Sequence, residues 1–182
     1  EADSSHLRTP LENTLKDHLQ NFDGALGGGL WFQPGVLSGP AVSYMPYFAQ
    51  DPSEQELKRI DVENRFGNYR DAPWFSHTLG PEWAPTSDNA DQVYWSPVYY
   101  DVNTERPVLT LASPMYDRRQ NLLGMATTTW TAERMIDVVS NITVTEHSFT
   151  FLNDRSNRNL SSLGKSEDTG QEQALMDAIL AL

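Results

Sequence analysis

Leu11, Leu15, Leu19 and Phe22 recur every three or four residues among charged and polar neighbours, which predicts one apolar stripe on a helix over residues 10–22. Thr9 as N-cap, Pro10 in the first turn and Glu12 three residues after Thr9 fit a capping box. Gly24, followed by Gly27, Gly28 and Gly29, ends the helix and leads into a strand, LWFQPG. AVSYMPYFAQ reads as a second strand, confined by Pro46 to an edge or a bulge. Residues 51–91 are polar with scattered Trp and Phe. They predict a long connection holding at most short helical pieces, the kind of segment that serves as a binding loop.

Beyond that connection the pattern tightens. QVYWSPVYYD and RPVLTLASPMYD read as two strands joined by a polar turn at Asn103 and Thr104, and NLLGMATTTW as a third reached through DRRQN. Strands joined by turns this short normally pair, so an antiparallel meander follows, with 94–100 beside 108–116 and 108–116 beside 122–130. TAERMIDVVSNI then predicts a helix with Thr131 as its cap and Met135, Ile136, Val139 and Ile142 on one face. HSFTFLNDRSNRNLSSLG reads as a strand, a turn and a second strand, and a last helix from about Glu172 to Leu182 completes the reading. The class is α+β: an antiparallel sheet of about five strands flanked by helices. Domain boundaries are expected at 1–26 for an N-terminal stalk helix and 27–145 for a ligand-binding module. Residues 146–182 are expected to be the start of a second module or a packed tail.

Composition narrows the function. A formal net charge of −12, with 13 Lys and Arg in 182 residues, argues against nucleic acid and against an anionic membrane surface. With no cysteine there is no thiolate chemistry and no zinc–cysteine site. No apolar run reaches the length of a membrane span. The four histidines lack metal-protease spacing, and no Walker or Rossmann glycine pattern occurs, so no metal or cofactor is implied. The glycine run precedes a strand rather than a helix and suits close backbone packing better than phosphate binding.

Aromatic residues stand above this background. Tyr69, Trp74, Phe75, Trp83, Tyr94, Trp95, Tyr99 and Tyr100 concentrate in the long connection and the strand after it, with Arg70 among them. Rings with polar tips are the material of a small-molecule pocket. Half of them would serve as ordinary core in any sheet protein of this size. Loop acids Asp71, Glu82, Asp88 and Asp91, with Asp51 and Glu54, leave open a carboxylate-dependent hydrolase acting on glycans or esters. A ligand-free dimerisation module is the third alternative.

GGGLWFQP, YMPYF, YRDAPWF, YWSPVYYD, VLTLASPMYD and NLLGMATTTWTAERM occur in the order and spacing of double-Cache extracytoplasmic sensor domains, and over about residues 26–142 the chain resembles their membrane-distal module. The resemblance implies a PAS-like fold and the ligand-sensing, non-enzymatic part of a bacterial receptor: a chemoreceptor, sensor kinase, cyclase or phosphatase. It implies a periplasmic or extracellular location, with a membrane met only through transmembrane helices of a longer parent. The four-residue spacing of Leu11, Leu15 and Leu19 gives a narrow seam, which predicts that they face another helix, of this chain or of a partner in a homodimer through the N-terminal helix. The implied ligand-binding residues are Tyr69, Arg70, Trp74, Phe75, Trp95, Tyr99, Asp101 and Thr129, with no catalytic and no metal-binding residue. Amino-acid-binding members carry an Arg two residues before the tryptophan and an amine-gripping Asp on the L-G-V strand, where this chain has Ala72 and Thr129. The expected ligand is therefore a carboxylate or other polar metabolite without an α-amine, contacted by Arg70, and a cation held by the rings is the alternative.

Overall fold

The computed structural model describes residues 4–22, 24–37, 39, 43–50, 56–86, 92–102, 104–142 and 145. The strands and helix expected after residue 146, and hence the second-module boundary, lie outside the described residues. Helix α1 spans Arg8–Asn21 behind a single 3-10 turn at Ser4–Leu7. It begins earlier than the capping pattern predicts. Thr9 lies inside the first turn, Leu7 holds the cap position without a side-chain bond, and Glu12 faces away from any capping box. Its Oε1 instead accepts from the Tyr44 hydroxyl (2.9 Å) and Arg59 Nε (3.2 Å), so two tertiary partners outcompete the local template. Pro10 remains in the first turn, where helix amide donors lack partners in any case.

The leucine stripe of α1 does not face another helix. Leu15 and Leu19 are buried against Ala25 and Phe48, and Leu11 packs beside Phe32, Leu37 and Tyr44, so the seam expected for a stalk partner is closed by the sheet. Burying each leucine contributes about 1.5–3 kcal/mol.

Strand β1 (Ala25–Phe32) contains the glycine run rather than following it. A Cβ at Gly28 would lie 2.4 Å from the Thr127 carbonyl oxygen and 3.0 Å from Leu19 Cδ2, which is why the strand can hold α1 so close only if that position is bare. β2 (Tyr47–Gln50) starts directly after Pro46, whose carbonyl accepts from Leu30 N at 3.0 Å while its ring supplies no donor. β3 (Leu57–Ile60), unforeseen in the polar connection, is a four-residue edge strand whose two central residues, Lys58 and Arg59, are exposed. Charge on a short edge discourages further pairing, and it also hides the strand from a hydrophobicity pattern.

After β3 come α2 (Glu63–Phe66), a 3-10 turn at Tyr69–Asp71 and α3 (Pro73–Thr78). These are the short helical pieces expected there. The meander follows as β4 (Tyr94–Trp95), β5 (Tyr99–Asp101), β6 (Arg106–Tyr116) and β7 (Leu122–Thr131). The sheet runs β3-β2-β1-β7-β6-β4, with β5 also on β6, and every pairing is antiparallel. Both predicted strand pairs form, and β3 adds one position to the expected five.

Helix α4 (Ala132–Ser140) is capped as predicted, with Thr131 Oγ1 accepting from Arg134 N at 3.2 Å. Its apolar face is narrower than expected: Val139 is buried and Met135 half-buried, while Ile142 is 49% exposed just beyond the helix end. The sheet thus separates two layers. α1 covers one face, and the connection from α2 to α3 covers the other with the largest apolar cluster, built on Trp31, Tyr47, Tyr69, Trp74, Phe75, Tyr99 and Met125.

Candidate ligand site

The turn at Tyr69–Asp71 starts where the Asn68 side chain accepts from Arg70 N at 3.0 Å, and Pro73 then opens α3 at a position that needs no amide donor. This places Tyr69, Trp74 and Phe75 inward over the sheet: Tyr69 stacks on Trp74 (6.4 Å), and both meet Phe75 edge-on at 5.7 Å. Trp31 joins from the sheet, 5.2 Å from Trp74 and 5.5 Å from Tyr47, with its indole donating to Thr127 Oγ1 at 2.7 Å. Trp83 closes the outer side against Phe75 and Tyr94, each at 6.2 Å. The Arg70 guanidinium lies over the faces of Phe75 (5.1 Å) and Trp83 (6.0 Å), a cation–π seat at the rim.

The sheet under these rings carries a chain of hydroxyls. Tyr99 and Thr110 share a hydrogen bond at 2.8 Å, Thr110 and Thr129 another at 3.2 Å, and Thr129 one with Tyr47. Tyr47 is on β2 and Thr129 on β7, with β1 between them, so the phenol must cross a strand that neighbours each partner at about 4.8 Å. Gly27 pairs with Thr129 and Gly29 with Tyr47, and a Cβ at Gly29 would sit 2.9 Å from the Tyr47 ring. The glycines leave the space through which Tyr47 reaches. Burial above all pushes the Tyr47 hydroxyl far above its ordinary range, and the Asp101 and Tyr99 charges add to this while the Thr129 bond opposes it. Tyr99 is raised by burial as well, with Thr110 opposing and Asp101 adding. Both phenols therefore stay neutral donors at physiological pH.

The predicted site residues do not all converge. Tyr69, Trp74, Phe75, Tyr99 and Thr129 share this side of the sheet, with Arg70 at its rim. Asp101 is 4% exposed and anchors the β5–β6 turn, its Oδ2 accepting from Thr104 N (3.0 Å) and Thr104 Oγ1 (2.8 Å). Trp95 is a correction. It is 44% exposed and stacks on Trp130 at 5.7 Å, with Phe22 of the α1 end beyond at 5.3 Å from Trp130. The cause is register: Trp95 pairs with Leu111 but Tyr99 with Val108, so four steps along one strand match three along the other. The extra residue is absorbed at Ser96–Val98, where Ser96 exchanges bonds with Thr110 through its N (2.9 Å) and Oγ (2.8 Å). A one-residue insertion reverses the face, which puts Trp95 opposite Tyr99. Trp31, Tyr47, Thr110 and His77, stacked on Tyr99 at 4.6 Å, belong to the site without having been singled out from sequence. GGGLWF and YMPYF held the signal for the first two, but only strand order shows that they meet.

Several polar tips here have no partner among the described residues: Tyr69 Oη, Trp74 Nε1, Thr78 Oγ1 and Trp83 Nε1. Each such buried group costs about 1–3 kcal/mol while unpaired. Among the described residues no cluster of three or more His, Asp or Glu is placed to hold a metal ion. Of the loop acids, Asp71 and Glu82 lie exposed, and Asp51, Glu54, Asp88 and Asp91 are outside the described residues.

A family model describing the first PDC sensor domain of methyl-accepting chemotaxis protein-like proteins matches residues 11–137, well over half the chain. Among solved structures, the extracellular domain assigned to the histidine kinase soHK1S-Z6 matches with a TM-score of 0.61 at 17% identity, over 99% of this chain and 66% of that one. A structure titled methyl-accepting chemotaxis protein X matches at 0.60 and 14%, over 97% and 67%. The ligand-binding domain of the Campylobacter jejuni chemoreceptor Tlp3, in complex with L-valine, matches at 0.53 and 15%, over 84% and 50%. These identities establish a shared fold. The chain spans between half and about two thirds of the length of these structures. No curated protein matches significantly. No helix among the described residues is long and apolar enough to cross a membrane.

Proposed function

Because the chain belongs to the family of first PDC sensor domains of chemotaxis-receptor-like proteins, we propose that it senses a small molecule directly, at the aromatic cluster between α3 and the β5–β6–β7 face. One observation carries this reading: the buried tips of Tyr69, Trp74 and Trp83 lie unpartnered within one aromatic cluster. A core built for packing alone would carry Phe and Leu there, without that penalty. The ligand-bound Tlp3 domain has the same fold, which supports small-molecule occupancy here.

On this reading the domain is non-catalytic and stands outside the cytoplasmic membrane. Transmembrane helices of a receptor, kinase, cyclase or phosphatase hold it there. A homodimer through α1 would have to use the exposed face bearing Asn13, Asp17 and Gln20, since its leucines are covered by the sheet. Sedimentation of wild type against Asp17→Arg checks that interface. Thermal-shift screening against carboxylates, amines, amino acids, sugars and purines tests sensing itself. A rise in melting temperature with one class, abolished by Trp74→Ala, is expected. A flat response to every class would remove direct sensing.

A further inference from the structure

The layers on the two faces of the sheet are joined by side chains at one edge. β3 is the end strand of the order β3-β2-β1-β7-β6-β4, and Arg59 on it reaches both layers. Its Nε donates to Glu12 Oε1 on α1 at 3.2 Å, and its Nη2 donates to Glu63 Oε1 on α2. The segment before β2 meets the same two oxygens: the Tyr44 hydroxyl donates to Glu12 Oε1 at 2.9 Å, and Met45 N to Glu63 Oε1 at 3.1 Å. Glu12, Arg59, Glu63 and residues 44–45 thus form a closed ring of contacts around the sheet edge. Either ion pair alone, with its guanidinium at the surface, would contribute little. Shared on one planar fork, the two pairs fix the position of one carboxylate relative to the other.

Each end of this ring is anchored in a different layer. Val62, immediately before Glu63, is fully buried in the cluster that holds Tyr69, Trp74 and Phe75, so α2 is packed to move with the rings. On the other side Arg8, in the first turn of α1, donates twice to the Leu37 carbonyl (3.1 and 2.7 Å) and lies over the Tyr44 ring at 4.8 Å. We propose that Arg59 is a positioning residue that couples α1 to the aromatic cluster: a shift of α2 with the rings is passed around the sheet edge to the first turns of α1. The clasp takes its use from the sensing function proposed above. A flat ligand screen would remove that use and leave the coupling in place, whereas the outcomes below would remove the coupling and leave sensing in place.

The test needs no ligand, because the α2 side can be disturbed by itself. Gly67 closes α2 at φ 66° with nothing within 4 Å of an added Cβ, so Gly67→Ala strains the exit of α2 without a clash. Amide hydrogen exchange of the intact chain then reads α1 over Glu12–Leu19, with β7 as the internal reference. In the wild-type background Gly67→Ala should speed exchange in α1 about threefold, and in the Arg59→Gln background it should leave α1 almost unchanged. Arg59→Lys keeps the charge but replaces the fork with a single head, so it should restore only part of the response. Arg59→Gln also leaves two carboxylates facing each other, and its melting temperature should fall. Adding Glu12→Gln removes that repulsion, so the melting temperature should recover while the α1 response stays lost, which a merely stabilising role for Arg59 would not produce. An α1 response of equal size with and without Arg59 overturns the proposal, as does no α1 response in the wild-type background. Exchange in β7 that rises with α1 in Arg59→Gln overturns it too, because Arg59 would then hold the whole fold rather than link two of its parts.

Discussion

Replacing Thr129 by valine removes one oxygen and keeps the shape, and its cost can be worked from the hydroxyl chain. Thr129 holds two of the three links, to Thr110 and to Tyr47, and is 3% exposed. Its loss leaves the Tyr47 phenol, also 3% exposed, enclosed without that bond, while Thr110 keeps Tyr99. An enclosed unsatisfied phenol costs about 1–3 kcal/mol and a lost net bond about 1 kcal/mol, partly offset by the added methyl, so Thr129→Val should cost about 2–3 kcal/mol. Tyr99→Phe, at the end of the chain, breaks one link and should cost about 1 kcal/mol. The sharper test is the double variant. Tyr47→Phe in the Thr129→Val background removes the orphaned oxygen, so it should restore stability rather than lower it further. Urea unfolding at pH 7, with slopes compared to establish that the unfolded state is unchanged, reads wild type, the three single variants and the double variant. If Tyr47→Phe destabilises both backgrounds equally, Tyr47 is not coupled to Thr129 and its crossing of β1 is wrong.

Trp95→Ala should leave affinity for an identified ligand within twofold and cost about 1 kcal/mol of stability through the lost stack on Trp130, measured by titration and urea unfolding. Gln120, at φ 64° in the β6–β7 turn, holds a conformation that favours glycine, so Gln120→Gly should stabilise by about 1 kcal/mol in the same assay. Tyr47 and Tyr99 both have hydroxyls raised above the ordinary value near 10. Above pH 10 the unfolded chain loses these protons and the folded chain keeps them, so stability should fall as pH rises, and Tyr99→Phe should flatten that fall in alkaline unfolding curves.

What was legible in the sequence was what short-range pattern decides. The meander followed from turns of a few polar residues, and the α4 cap from Thr131 standing immediately before an amphipathic run. Local templates failed where tertiary partners competed for the same atoms. Thr9, Pro10 and Glu12 satisfy a capping box on paper, yet the Glu12 carboxylate gains a guanidinium from Arg59 and a phenol from Tyr44, stronger partners than one backbone amide. β3 was invisible for a different reason. Leu57–Ile60 has apolar residues only at its ends, and its identity as a strand comes from four paired residues of β2 rather than from its own composition.

The site was legible as a set of rings but not as an arrangement, because face assignment on a strand depends on counting. Trp95 and Tyr99 have the same parity and would share a face on an unbroken strand, and a single extra residue at Ser96–Val98 is enough to separate them. No composition signal marks that step: Pro97 suggests an irregularity without saying whether it adds a residue. The glycine run shows the same limit in the other direction. Its bareness reads locally as a poor strand. In the sheet, Gly28 is bare because Leu19 of α1 presses on one face, and Gly29 because Tyr47 and Trp31 fold over the other. Three adjacent residues thus bring the helix and the hydroxyl chain to opposite sides of one strand. A close-packed interior transmits strain, so a ligand that displaces Tyr47 or Trp31 meets its first rigid neighbour in β1, and α1 is the next element beyond it.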